Sequence, residues 1–206
     1  MYTLFWEKGS GSIVVQAVLE EMGIPYDLRY VDMQAGENRQ SAYLAENPTG
    51  LVPALKLPDG RTIGESAAIV LYLGEQGSEG QVLPPPGDAE RADFLYWLLY
   101  MATMGYKNFG RFAHPERYTL DQDALDVVSG AARNDITDFF DVVDAAIGGQ
   151  PYFLPSGFSA LDIYLAMLAG WHPNRDELFE RNPRFAALCS AVESRPTYRK
   201  TMVQHS

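Results

Sequence analysis

The residues of this chain best suited to chemistry fall in three clusters. In the first, Asn47-Pro48-Thr49-Gly50 is turn chemistry: Gly50 tolerates positive φ, and Pro48 keeps Asn47 out of helix. Val52-Pro53 then opens an apolar run to Leu57, and a proline at the first position of a strand removes no ladder bond. A cis Val52–Pro53 bond, the minority state for X–Pro, turns the Val52 carbonyl and N–H sideways, free to pair with an extended peptide. Glu65-Ser66 heads an apolar helix, where free N–H groups and the positive dipole end suit a carboxylate ligand. The second cluster is Gly9-Ser10-Gly11-Ser12, whose N–H groups and hydroxyls suit a thiolate. Ser10 precedes the following helix and is the preferred hydroxyl; Ser12 also fits an N-cap before Ile13. The third is Tyr106, Lys107, Phe109 and Phe112, with His114 and Tyr118 beyond. These aromatics suit an apolar substrate pocket and serve equally as core or dimer contacts. His114, His172 and His205 each stand alone, with no second ligand or triad partner at a metal or catalytic spacing, so no metal is expected.

The elements that must position these clusters read as follows. Tyr2 to Trp6 is an aromatic-rich strand, and Ile13 to Met22 a helix apolar nearly all round, stopped by Gly23 and Pro25. Asp27 to Val31 is a second strand, and the β-loop-α-β opening demands a right-handed crossover and a parallel pair. Met33 to Asn38 is a polar loop, where Gln34, Asn38 and Arg39 lie within reach of a ligand's far end, and Gln40 to Glu46 a short helix. Pro53–Leu57 and Arg61–Ile63 pair through the turn Pro58-Asp59-Gly60. Glu65 to Gln76 is the third helix. The stretch 79–88, rich in proline and glycine (Gly80, Pro84, Pro85, Pro86, Gly87), separates a first domain, 1–78, from a helical second domain, 89–206. There Phe94, Leu98 and Met101 form one stripe, Gly105 to Pro115 weakens or bends the helix, and Leu120 to Ile147 is a long helical segment. Phe158-Ser159-Ala160-Leu161-Asp162-Ile163 reads as a capping box with a staple, which makes Asp162 structural and the helix Ala160–Gly170 central. Short helices over Asn182–Val192 and Thr197–Val203 finish the chain.

A length of 206 residues allows one large or two small domains, either with a real core. No stretch is long enough to span a bilayer, and no basic start precedes an apolar run, so neither membrane span nor secretory signal is expected. A single cysteine, Cys189, excludes an internal disulfide and fits a reducing cytoplasm. A net charge of −11 excludes nucleic acid and anionic membrane as expected partners.

Val-Pro before a strand and Glu-Ser at the next helix start resemble the glutathione site of the cytosolic glutathione transferases. The resemblance runs over most of the chain, is greatest to bacterial, beta-like members, and extends to the capping box at Ser159. It implies an α/β thioredoxin-like N-terminal domain, of order β-α-β-α-β-β-α, followed by an all-α C-terminal domain. It implies that Val52, before a cis Pro53, pairs main chain to main chain with the cysteinyl part of glutathione. Glu65 and Ser66 then hold the γ-glutamyl carboxylate and amine, and Gln34 reaches the glycyl end. In this family a Tyr, Ser or Cys near the first helix activates the thiol. Counted back from Gly23-Ile24-Pro25, the bacterial beta-type cysteine falls on Gly11 and the serine of theta- and zeta-like classes near Gly9, so Ser10 and Ser12 flank the catalytic position. Tyr106-Lys107 stands where beta-type enzymes carry a His-Lys pair.

The implied function is a cytoplasmic, homodimeric glutathione transferase of the detoxification kind, with glutathione as co-substrate. Its bound thiolate attacks a small apolar electrophile or reduces a peroxide in the cleft between domains. Two alternatives stand: a non-catalytic ligand carrier or protein-interaction module on the same fold, and glutathione-dependent isomerisation or ether cleavage.

Overall fold

The computed structural model describes residues 1–77 and 82–206, so Gly80 of the expected linker lies outside the described residues. The chain divides into two compact units, Met1–Arg91 with Glu193–Ser206, and Ala92–Val192.

The first unit carries a four-stranded sheet in the order β2-β1-β3-β4. Its strands are β1 Tyr2–Trp6, β2 Tyr26–Tyr30, β3 Ala54–Lys56 and β4 Thr62–Ile63. β1 runs parallel to β2 and antiparallel to β3, and β3 is antiparallel to β4. The parallel pair needs a crossover, which α1 Ser12–Glu21 supplies. Every residue of α1 from Ser12 to Leu19 is buried, as its all-round apolar pattern demands. The helices α2 Ser41–Glu46 and α3 Ser66–Gly74 complete the expected β-α-β-α-β-β-α order. Val82 and Leu83, inside the expected linker, are buried, and a methyl on Gly74 would overlap Leu83. That end of the 79–88 stretch is therefore anchored on α3.

The second unit is helical: α4 Arg91–Tyr100, α5 Tyr106–Ala113, α6 Leu125–Ala146, α7 Ala160–Gly170, α8 Arg175–Arg181 and α9 Pro183–Ser194. α7 is its centre, with Ala160 through Ala169 all buried. The capping box forms as read: Ser159 N–H donates to Asp162 Oδ2 at 2.7 Å, and Leu161 N–H donates to Ser159 Oγ at 3.3 Å. Asp162 Oδ1 also accepts from Phe153 N–H at 2.7 Å, which fixes the preceding loop. Between α4 and α5 the chain makes a π-turn, Met101–Gly105. The bend expected over Gly105–Pro115 thus lies earlier. A Cβ on Gly105 would come within 2.8 Å of Phe139 and 2.9 Å of Leu168, so the turn is packed tightly against α6 and α7.

The last helix, α10 Pro196–His205, groups with the first unit, whereas the sequence assigned it to the helical second domain. Its attachment is ionic. Arg195 holds Glu21 of α1 by two parallel bonds of 2.7 Å, Thr197 Oγ1 donates to the same carboxylate, and Lys200 reaches Glu20 at 2.7 Å. Burial raises the Glu21 pKa, but the bonds from Arg195 and Thr197 outweigh it and hold the carboxyl below its usual range. Among the described residues no helix is long and apolar enough to cross a membrane.

Candidate active site

Sheet register brings the sequence clusters of the first unit together. Phe5, near the C-terminal end of β1, lies opposite Ala54, the first residue of β3, which Val52–Pro53 precedes. Leu55 lies opposite Ile63, the last residue of β4, which Gly64-Glu65 follows. The loop after β1, the Val52–Pro53 turn and the start of α3 therefore share one end of the sheet. The side chain of Asn47 closes the gap: a methyl built on Gly64 would lie 4.0 Å from its Nδ2.

The Val52–Pro53 peptide is cis. The turn before it is held by three buried side chains. Asn47 Nδ2 and the Tyr43 hydroxyl both donate to the Leu51 carbonyl, at 2.8 and 2.6 Å, and Asn38 Nδ2 donates to the Gly50 carbonyl at 2.8 Å. Gly50 has φ 64°, and a Cβ there would stand 2.9 Å from the Asn38 carbonyl, so the turn requires glycine. Among the described residues the Val52 N–H and C=O have no hydrogen-bond partner. They are the main-chain groups an extended peptide would pair with.

Glu65 sits at the N-cap of α3 with φ 62° and ψ 107°, the one non-glycine positive φ among the described residues. Such a conformation costs on the order of 1–3 kcal/mol and clusters at ligand clamps. The Glu65 side chain is exposed, and among the described residues its carboxylate meets no cation. Ser66 is 7% exposed at the first turn of the helix.

Ser10 and Ser12, the expected catalytic hydroxyls, are hydrogen-bonded within their own loop. Ser10 Oγ donates to the Glu7 carbonyl at 2.8 Å, Ser12 Oγ to the same carbonyl at 3.2 Å, and the two hydroxyl oxygens stand 2.5 Å apart. In either proton arrangement, one hydroxyl serves Glu7 and the other serves its fellow serine. In this arrangement each hydroxyl proton is engaged within the loop, because a hydroxyl donates only once. Ser12 is fully buried, and Ser12 N–H donates to Ser10 Oγ at 3.2 Å, so the pair shapes the loop. Gly11 is the N-cap of α1, and among the described residues its N–H has no partner. Glu7 is the residue that sequence reasoning missed. Its carbonyl accepts from the serine pair, and its carboxylate accepts the Met33 N–H at 3.1 Å, next to the exposed Gln34. The signal was a single acid between strand and glycine-serine loop.

In the second unit, Tyr106 stands edge-on to Trp171 with ring centroids 4.9 Å apart. Phe109 is corrected from pocket lining to core: it is 5% exposed and packs on Trp171 and Phe140. Phe112 is half-buried under the Arg133 guanidinium, 5.3 Å away. Lys107 points elsewhere, since adjacent helical residues diverge by about 100°. It lines a cleft of about 380 Å³ with Tyr100, Asn108, Arg111, Asp135 and Phe139. The structure thus gathers Tyr106 and Phe109 over Trp171 but leaves Lys107 and Phe112 apart. Among the described residues no group of three His, Cys, Asp or Glu side chains is placed to hold a metal ion.

This fold, a thioredoxin-like sheet joined to a helical unit, is shared with known proteins. The family described as glutathione S-transferase, N-terminal domain, matches residues 12–76. The glutathione S-transferase-like protein OpS6 of Beauveria bassiana is 30% identical over 207 residues, covering 94% of this chain and 90% of its own. Glutathione S-transferase GstA of Escherichia coli O157:H7 is 29% identical over 194 residues, covering 94% and 93%. Among solved structures, a sphingomonad glutathione S-transferase complexed with glutathione matches with a TM-score of 0.83, at 25% identity over 98% of each chain. The chain belongs to the glutathione transferase family.

Proposed function

We propose that residues 1–78 bind glutathione and lower the pKa of its thiol for attack on an apolar electrophile or a peroxide. The chain is a glutathione transferase by descent and by fold. The observation that carries the proposed site is the register: Val52, Pro53, Glu65, Ser66 and the loop after β1 meet at one end of the sheet. In this reading the unpartnered Val52 main chain pairs with the cysteinyl residue of glutathione. The Glu65 carboxylate takes the γ-glutamyl amine, and Ser66 with the α3 N-terminus takes its carboxylate. Gln34, beside the Met33 N–H that Glu7 holds, serves the glycyl end. Thiolate stabilisation falls to the Gly11 N–H and the positive end of α1, with Ser10 and Ser12 fixing the loop that presents them. Tyr106, Lys107 and Phe112 act on the second substrate.

A cytoplasmic homodimer with a detoxifying role fits this reading. It is supported by the single cysteine and by the exposed Tyr96, Leu99, Met104 and Val142 on α4, the π-turn and α6. The test is calorimetric titration with reduced glutathione, with thiolate absorbance followed against pH. Saturable binding with a lowered thiol pKa supports the proposal; no binding at millimolar glutathione removes it. Glu65→Ala is expected to weaken binding by about 1.5–3 kcal/mol, the worth of a hydrogen bond to a charged group.

A further inference from the structure

The first unit holds a buried polar chain that the proposed site leaves unused. His205 on α10 is 7% exposed, and its Nε2 lies 3.1 Å from Gln16 Oε1 on α1, itself 2% exposed. Burial raises the pKa of the Tyr26 hydroxyl, and the Gln16 side chain acts the other way. Tyr26 in turn donates to Glu20 Oε1 at 2.6 Å, and Lys200 holds the other Glu20 oxygen at 2.7 Å. Since Oε1 only accepts, His205 Nε2 carries the proton and Nδ1 is left as a lone pair. That Nδ1 is buried with no partner. An orphaned buried polar atom is costly, and an apolar pair of the same shape would pack with less penalty.

What the histidine provides is position. Its ring meets Trp6 edge-on, with centroids 5.0 Å apart. Trp6 ends β1, and the next carbonyl, that of Glu7, accepts from the serine pair. Gln16 stands one turn along α1 from Ser12. One side chain thus touches both supports of the serine loop. We infer that His205 is a positioning residue for thiol activation, holding Trp6 and Gln16 so that the Gly11 N–H meets the glutathione sulfur. The inference rests on the glutathione site proposed above.

The test compares wild type with His205→Phe, His205→Gln and Gln16→Met, measuring glutathione affinity by calorimetry and the bound thiol pKa by thiolate absorbance. Phenylalanine keeps a ring on Trp6 but has no donor, while glutamine restores one. The bound thiol pKa is expected to rise by about one unit in His205→Phe and Gln16→Met, a tenfold loss of thiolate below the pKa. Affinity, titrated below the bound thiol pKa where linkage leaves it unaffected, is expected to stay near wild type, and His205→Gln to recover most of the shift. Should His205→Phe be recovered unfolded, Gln16→Met reads the same link from its other end. An unchanged thiol pKa in the folded variants overturns the inference. So does a shift that glutamine fails to recover or that comes with an equal loss of affinity, since packing alone would then explain it. If wild type binds no glutathione, or binds it without lowering its pKa, the proposed site falls first and the inference with it.

Discussion

Glu65→Gly separates the two roles that Glu65 combines. The backbone there has φ 62°, which glycine adopts freely and a residue with a Cβ does not. The native strain is on the order of 1–3 kcal/mol, and glycine gives part of that back through a more flexible unfolded chain. Nothing else is lost on the stability side: Glu65 makes no side-chain cap bond, and among the described residues its carboxylate pairs with no cation. The net expectation is a gain of about 1 kcal/mol, which for a chain of this length raises the melting temperature by about 2–4 °C. Glutathione affinity should move the other way, by about 1.5–3 kcal/mol, or roughly tenfold to a hundredfold. Thermal unfolding without ligand and calorimetric titration, on Glu65→Gly and Glu65→Ala together, check both halves. Alanine should lose the affinity without the gain in stability. A glycine variant less stable than wild type refutes the strain argument; undiminished affinity refutes the role of Glu65 in binding.

The remaining predictions follow from the same geometry. Gly50→Ala forces a Cβ into the Asn38 carbonyl at a positive φ and should destabilise by at least about 1 kcal/mol in chemical denaturation, with glutathione binding weakened through the displaced Val52. Ser10→Ala should leave the bound thiol pKa unchanged in a spectroscopic titration, because its proton already serves the loop. Ser12→Ala removes a fully buried hydroxyl and should cost about 1–2 kcal/mol in stability, measured by urea unfolding. Burial pushes the Asp162 carboxyl up to about 6, although the Phe153 and Ser159 donors pull it down. A folded-state pKa above the unfolded value means a contribution fully present below about 4 and lost as pH rises through about 6. Wild type should therefore gain stability over Asp162→Asn as pH falls from 7 to 5, measured by urea unfolding at each pH.

What was legible in the sequence was whatever a local rule dictates. The capping box at Ser159–Asp162 needs only residue types at a fixed offset, and α7 begins at Ala160 as read. The Pro58-Asp59-Gly60 turn fixed the β3–β4 hairpin, whose open end carries Val52–Pro53 before β3 and Glu65 after β4. The serine loop was not legible, because the fate of a hydroxyl proton depends on which carbonyl the fold brings near. Here it is Glu7, whose residue type says nothing about its carbonyl. Phe109 illustrates the same limit. An aromatic on an amphipathic helix fits pocket or core equally well, and only Trp171 and Phe140, far along the chain, decide for core. The placement of α10 depended on contacts of the longest range, Arg195 to Glu21 and His205 to Gln16. No periodicity within α10 encodes those partners, since pairing across such separations is a property of the folded surface. The consequence is functional: α1 carries the proposed thiolate donor at its first turn, and the helix that clamps α1 comes from the far end of the sequence. The proposed thiol activation at Gly11 is thereby tied to residues with no local mark of chemistry, and substitutions in α10 are expected to act on the thiol pKa before they act on glutathione affinity.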